Sequence, residues 1–205
     1  MSIFGKNSLL VATAFAAIAA MPAYAGNLGF ETGDLTDWST NGPAGALTSY
    51  GAFGPVSGTY LGAIQAGLGQ DAYTTLSQTF TLGAGDSISG FAGFQANDYI
   101  PYNDSAYLSV NGVHLLDWSV GSVGDYGNSG WNAFNFTALA GGSYTLELGV
   151  ANHGDNGYGS GAVLDAVSIS SGAVPEPASW AMMVGGFGLV GAGMRARTRK
   201  LSFAA

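Results

Sequence analysis

Two histidines and twelve carboxylates are the side chains between residues 26 and 174 best suited to acid–base work, and the 205-residue chain has no cysteine to join them. That absence excludes a disulfide framework, a thiolate zinc site and a cysteine nucleophile. His114 stands beside Leu115 and Leu116 in an apolar stretch, which favours a satisfied structural histidine over a base. His153 lies in a Gly-Asp-Asn loop, where it is a ligand or has no role. No Gly-x-Ser-x-Gly elbow, HExxH zinc helix or phosphate-binding loop is present. A glycosidase pair of carboxylates depends on a separation that only the fold sets. The expectation is therefore a protein that does no chemistry, with a glycoside hydrolase or lyase as the enzymatic alternative.

The aromatic side chains offer different chemistry. Sugar recognition sets flat rings against the C–H face of a pyranose and places amides or carboxylates on its hydroxyls. Tyr99 and Tyr102 share a loop with Asp98, Asn103 and Asp104, while Tyr126 and Trp131 share another with Asn128. Tyr99, Tyr102, Asp104, Tyr126 and Trp131 are the ligand-binding candidates on this ground. The plain alternative is that these rings cover the core, as Trp38 and Trp118 are expected to do.

Charge narrows the partners. All five basic residues, Lys6, Arg195, Arg197, Arg199 and Lys200, lie at the chain ends, and of the 13 acids only Glu176 falls outside residues 26–174. A domain without Lys or Arg cannot release phosphate counterions, which excludes nucleic acid, and it has nothing to hold an anionic membrane surface. Its acids must meet solvent or cations, divalent ones above all. The acidic loops 97–104 and 153–157 are cation candidates without EF-hand spacing or nonapeptide repeats, and Asn, Asp and Gly are also what turns require. The Gly-Asp pairs at 33, 85, 124 and 154 read as turns in the same way.

These residues must be positioned by strands. With 47% hydrophobic residues the chain is too apolar to stay disordered. No long helical period runs through 27–171, where short β-forming runs alternate with Gly, Asn, Asp and Pro. In 74–82, Leu76, Phe80 and Leu82 face one way and Thr75, Ser77, Thr79 and Thr81 the other, and 144–150 repeats the pattern. Further strands are expected at 60–66, 87–95, 106–110, 114–120, 131–137 and 163–170. Eight or more strands at this spacing predict an all-β fold, an antiparallel β-sandwich of jelly-roll type.

Two terminal segments flank this domain. Lys6, an apolar run over 9–21 and Pro22-Ala23-Tyr24-Ala25 form a signal peptide, expected to be helical and cleaved after Ala25, with Ala23 and Ala25 as the small recognition residues. At the other end Val174-Pro175-Glu176-Pro177 precedes an apolar helix over 178–194 and the basic run through Arg195, Arg197, Arg199 and Lys200. The predicted organisation is 1–25 signal, 26–172 sandwich and 173–205 tail. A plain membrane anchor is the simpler reading of the tail, since its basic end should stay cytoplasmic.

Residues Pro175-Glu176-Pro177, Ser179 to Met183, Gly186-Phe187-Gly188-Leu189 and the terminal arginines together resemble the PEP-CTERM sorting tail of Gram-negative bacteria. The resemblance implies a transmembrane helix held transiently in the inner membrane, recognition by an exosortase, and delivery to the cell surface or extracellular matrix after tail removal. A second resemblance lies at the domain edges. Asn27 to Leu35 followed by Trp38, and Val163 to Ile169, look like the opening and closing strands of jelly-roll carbohydrate-binding modules. It implies a structural Ca²⁺ held by Glu31 and Asp165, completed by carbonyls near Gly29, and association with exopolysaccharide or another glycan. An acidic surface protein without a specific ligand is the alternative.

Overall fold

The structure is a computed structural model that describes residues 26–172 and 177–200, and within the second stretch the side chains of 180–195. The signal segment with Ala23 and Ala25, and Pro175 and Glu176 of the sorting motif, lie outside the described residues, as do the side chains of Pro177, Arg197 and Arg199.

The first stretch lies within one compact unit. Its elements are β1 (Ser39–Thr40), β2 (Ala44–Leu47), β3 (Leu61–Gln65), β4 (Thr74–Leu82), β5 (Ser87–Gln95), β6 (Ser105–Val110), β7 (Val113–Ser119), α1 (Val120–Val123), β8 (Asn132–Thr137), β9 (Gly142–Ala151) and β10 (Gly161–Ser170). Two five-stranded antiparallel sheets, ordered β1-β4-β9-β6-β7 and β2-β3-β10-β5-β8, make the β-sandwich expected of the alternating pattern. Strand β4 buries Leu76, Phe80 and Leu82 and turns Thr75, Thr79 and Thr81 to the other face, as its sequence predicts. These side chains meet Leu108, Leu146, Leu148 and Val150 of the same sheet and Ile64, Ile88, Phe94 and Leu164 of the other in one core. Each such burial stabilises the fold by about 2 kcal/mol. Trp38 and Trp118 are packed, Trp38 stacking on Phe30 with ring centroids 4.9 Å apart.

The sequence reading missed β1, β2 and α1. The first is two exposed polar residues, and β2 is a small-residue edge strand without alternation, so neither carries a period to detect. Strand β7 stops at Ser119 because Val120 turns inward, fully buried, as the first residue of α1.

The second unit contains α2 (Pro177–Lys200), longer than the helix expected over 178–194. Among the described residues no helix is long and apolar enough to cross a membrane. Gly185, Gly186, Gly188, Gly191 and Gly193 dilute the apolar run on which the expectation of a transmembrane helix rests, and Arg195 ends it.

Candidate ligand and metal sites

Loop 96–104, between β5 and β6, is stitched to loop 124–131 by three hydrogen bonds, the first from Ala96 N–H to the Gly127 carbonyl at 2.9 Å. Ile100 N–H donates to Asp125 Oδ1 at 2.9 Å, and Tyr126 N–H donates to the Asp98 carbonyl at 2.9 Å. The stitching gathers three of the nominated tyrosines. Tyr99 meets Tyr102 edge-on at 5.4 Å between centroids and Tyr126 at 5.7 Å. Tyr126 is 57% exposed and Tyr158 70%. Beneath them Asp98 is fully buried; its Oδ1 accepts the Tyr99 N–H at 2.8 Å, and its Oδ2 has no hydrogen-bond partner. Burial raises the Asp98 carboxyl above its ordinary value, the Tyr99 N–H opposes that shift, and the charges of Asp104 and Asp155 add to it.

The other two nominated residues have different surroundings. Asp104 is buried, not presented to a ligand: Oδ1 accepts His153 N–H at 2.9 Å, and Oδ2 accepts the Ser160 N–H at 3.2 Å and its hydroxyl at 2.7 Å. A carboxylate so satisfied is an internal anchor. Trp131 packs edge-on against Phe53 at 5.1 Å and donates its indole N–H to the Gly54 carbonyl at 3.1 Å, so it covers the smaller core of Phe53, Leu61, Ala63 and Val163.

Glu31 and Asp165 hold the same loop between β2 and β3 from two sides. Glu31 accepts the N–H groups of Thr59 and Tyr60 at 2.9 to 3.2 Å, and Asp165 Oδ2 accepts those of Val56 and Ser57 at 2.6 and 3.1 Å. Asp165 Oδ1 takes the Ala166 N–H at 2.5 Å, inside the bulge that interrupts the β10–β5 ladder. Burial raises the Asp165 carboxyl, three N–H bonds oppose the shift, and the charge of Glu31 adds to it. Gly58 is required beside them. It has φ +70°, and a Cβ there would stand 2.2 Å from the Glu31 carboxylate carbon. Among the described residues no three His, Cys, Asp or Glu side chains group to hold a metal, so a cation here would need carbonyl oxygens as well.

The outer face of the β4-β9-β6-β7 sheet contributes a third arrangement, around a hollow of about 310 Å³ walled by Tyr73, Ser105, Tyr107, His114 and Trp118. Tyr107 lies flat over Gly149, where a Cβ would stand 2.4 Å from its ring, and donates its hydroxyl to Glu147 Oε1 at 2.7 Å. Burial, this bond and the Glu147 charge keep that phenol protonated well above its ordinary value. His114 is half exposed, stacks on Tyr107 at 4.6 Å and meets Asp117 Oδ1 through Nδ1 at 2.5 Å, so its ring is partnered at the sheet surface. A bulge after Leu108 lets β7 present it outward, and a flanking Leu pair does not reveal that. Ser105, on the wall of the same hollow, meets His153, which in turn meets Asp71; the three are drawn from separated loops and strand ends with no motif to signal them.

The sandwich is similar to several solved structures, each at low identity. TmCBM61, in complex with beta-1,4-galactotriose, is 18% identical over 71% of this chain and 95% of its own, with TM-score 0.48. Family 16 Carbohydrate Binding Module-2 is 17% identical over 71% and 97%, with TM-score 0.41. A cyclase from Fischerella sp. TAU is 14% identical over 72% and 96%, with TM-score 0.40. These likenesses concern architecture alone. No curated protein matches the chain. Residues 173–200 match the PEP-CTERM protein-sorting motif, which marks the chain as an exported surface protein processed by an exosortase.

Proposed function

We propose that the protein is a surface or matrix protein that associates with neutral exopolysaccharide, delivered outside the inner membrane of a Gram-negative cell once its tail is removed. The observation that carries the glycan reading is the group of exposed Tyr99 and Tyr126 with half-buried Tyr102, two of its ring contacts fixed at 5.4 and 5.7 Å by stitched loops. Rings held in this way offer stacking surface with little conformational entropy left to lose. The surrounding carboxylates accept from sugar hydroxyls and repel polyanions, because residues 26–174 contain no Lys or Arg. The test is retention of the exported protein on its host's own polysaccharide. Tyr126→Ala and Tyr102→Ala should each weaken retention at least severalfold, and equal retention of all three proteins refutes the reading.

A structural Ca²⁺ between Glu31 and Asp165 belongs to the same proposal. Two carboxylates whose charges oppose each other, with lone pairs left over and no basic side chain near, suit a hard cation completed by carbonyl oxygens. A ligand bound only by the folded state raises the melting temperature by mass action. Adding EDTA should lower it in the native protein and leave it unmoved in Glu31→Gln. An acidic surface protein cross-linked by cations is the second reading, favoured by the same absence of basic residues, and calcium-dependent self-association without polysaccharide retention would select it.

A further inference from the structure

On the outer face of the β4-β9-β6-β7 sheet four side chains, none of them among the tyrosines used above, form one hydrogen-bonded line. Ser105 Oγ lies 2.8 Å from His153 Nε2, His153 Nδ1 lies 2.5 Å from Asp71 Oδ1, and the Tyr73 hydroxyl lies 3.0 Å from Ser105 Oγ. We propose that this line is a serine hydrolase site for short-chain acyl esters of neutral hydroxyl compounds, O-acylated sugars among them.

The protons along the line have one consistent arrangement. A carboxylate is an acceptor only, so the nitrogen facing Asp71 carries the hydrogen and Nε2 offers its lone pair to the Ser105 hydroxyl. The Ser105 oxygen is then free to accept from Tyr73. Such a constellation is recognised by geometry and role, not by chain order or fold.

The surroundings hold it in place. His153 donates its backbone N–H to the buried Asp104, which Ser160 also binds, so the imidazole springs from a fixed point. Asp71 N–H donates to the Asn152 carbonyl at 2.8 Å, which clips its loop beside His153. Asp71 itself has φ +61°, a left-handed backbone that an L residue keeps only where its neighbours over-determine it. Ser105 is fixed at the start of β6 between Ala151 and Ser119 on the flanking strands. It opens onto the hollow of about 310 Å³, large enough for an acyl group and part of a sugar. Asp117 and Glu147 on this face disfavour anionic substrates and favour departure of the carboxylate product.

In the reaction the Ser105 oxygen adds to the ester carbonyl carbon while His153 Nε2 takes the hydroxyl proton, and the new oxyanion receives the Tyr73 O–H. Collapse breaks the bond to the alkoxy group, which leaves with the proton from His153, and the acyl group stays on Ser105. Water then adds to the acyl carbon as its proton passes to His153. Release of the carboxylic acid returns that proton to Ser105, so ester and water give acid and alcohol. Asp71 stays ionised and orients the ring throughout. The His153 side chain is 31% exposed, which leaves room for that water.

The test treats the exported protein with diethyl p-nitrophenyl phosphate and follows p-nitrophenyl acetate turnover in parallel. One diethylphosphoryl adduct, mapped to Ser105, and saturable turnover are expected. Ser105→Ala should abolish both while keeping the native circular dichroism and melting temperature. His153→Gln should slow labelling by roughly a hundredfold or more, and Tyr73→Phe should lower kcat with little change in KM. Leu139→Ala, at an exposed loop position outside both sites, should leave labelling intact. No adduct, an adduct on a tyrosine instead, or unchanged turnover in Ser105→Ala overturns the proposal.

Discussion

Asp165 and Asp98 are both fully buried, in a domain with no Lys or Arg to meet either, and their surroundings treat them oppositely. Around Asp165 three backbone N–H groups converge on the two carboxylate oxygens. Around Asp98 one N–H serves one oxygen and the other has no partner. An unpaired buried acceptor costs on the order of 1–3 kcal/mol, and burial raises the pKa of both groups. The chain spends its backbone donors on the loop that closes β2 to β3 and leaves acceptor capacity beneath the exposed tyrosines. Burial depth therefore does not tell a structural carboxylate from one at a recognition surface, whereas the count of donors does.

The largest effect is expected where the paired kind is most complete. Asp104 binds two N–H groups and a hydroxyl over both oxygens. Asp104→Asn turns an NH₂ toward at least one of these donors and should destabilise the fold by about 3 kcal/mol, read as a lower urea midpoint with an unchanged slope. It should also abolish organophosphate labelling of Ser105, because His153 loses its anchor. A stability within error of the native protein would show that donor count does not measure the role of a buried aspartate here.

Asp165→Asn should come next, at about 2 kcal/mol, measured in EDTA so that no cation contributes. An amide can keep either the Val56 and Ser57 pair or the Ala166 N–H, but not both. The loss should approach zero only if loop 56–60 reorganises, which hydrogen exchange at Thr59 and Tyr60 would reveal.

The sandwich itself was legible because its evidence is local. Leu76, Phe80 and Leu82 alternate with threonines on one strand, and eight expected segments correspond to β3 to β10. The sites were legible only in part. Tyr99 and Tyr102 share a loop, so their proximity shows in the sequence, and Tyr126 joins them through the Asp125 and Asp98 bonds. Asp104 reads the same as its exposed neighbours, because what decides its burial is Ser160, 56 residues away. Asp71 and His153 are 82 positions apart and meet only because a loop docks along Asn152. Contacts of that span leave no period or spacing behind.

Asp98→Asn should have the smallest effect at neutral pH, within about 0.5 kcal/mol or slightly stabilising, since an amide NH₂ there replaces an oxygen that already lacks a partner. Its signature lies in pH dependence. A carboxyl whose folded pKa is raised binds its proton more tightly folded than unfolded. The stability this contributes is full below the ordinary value of 3.8 and is lost as pH rises through the raised value. In EDTA the native protein should therefore lose stability as pH climbs from about 3.8, through Asp98 and Asp165 together. Asp98→Asn should flatten that decline while leaving neutral stability nearly unchanged, and Asp165→Asn should flatten it while lowering the whole curve. Two variants with the same slope change and unequal offsets would separate the charge of a buried aspartate from its hydrogen bonds. Equal offsets would mean that the free oxygen of Asp98 finds a partner in solution, and the contrast between the two regions would then rest on the exposed tyrosines alone.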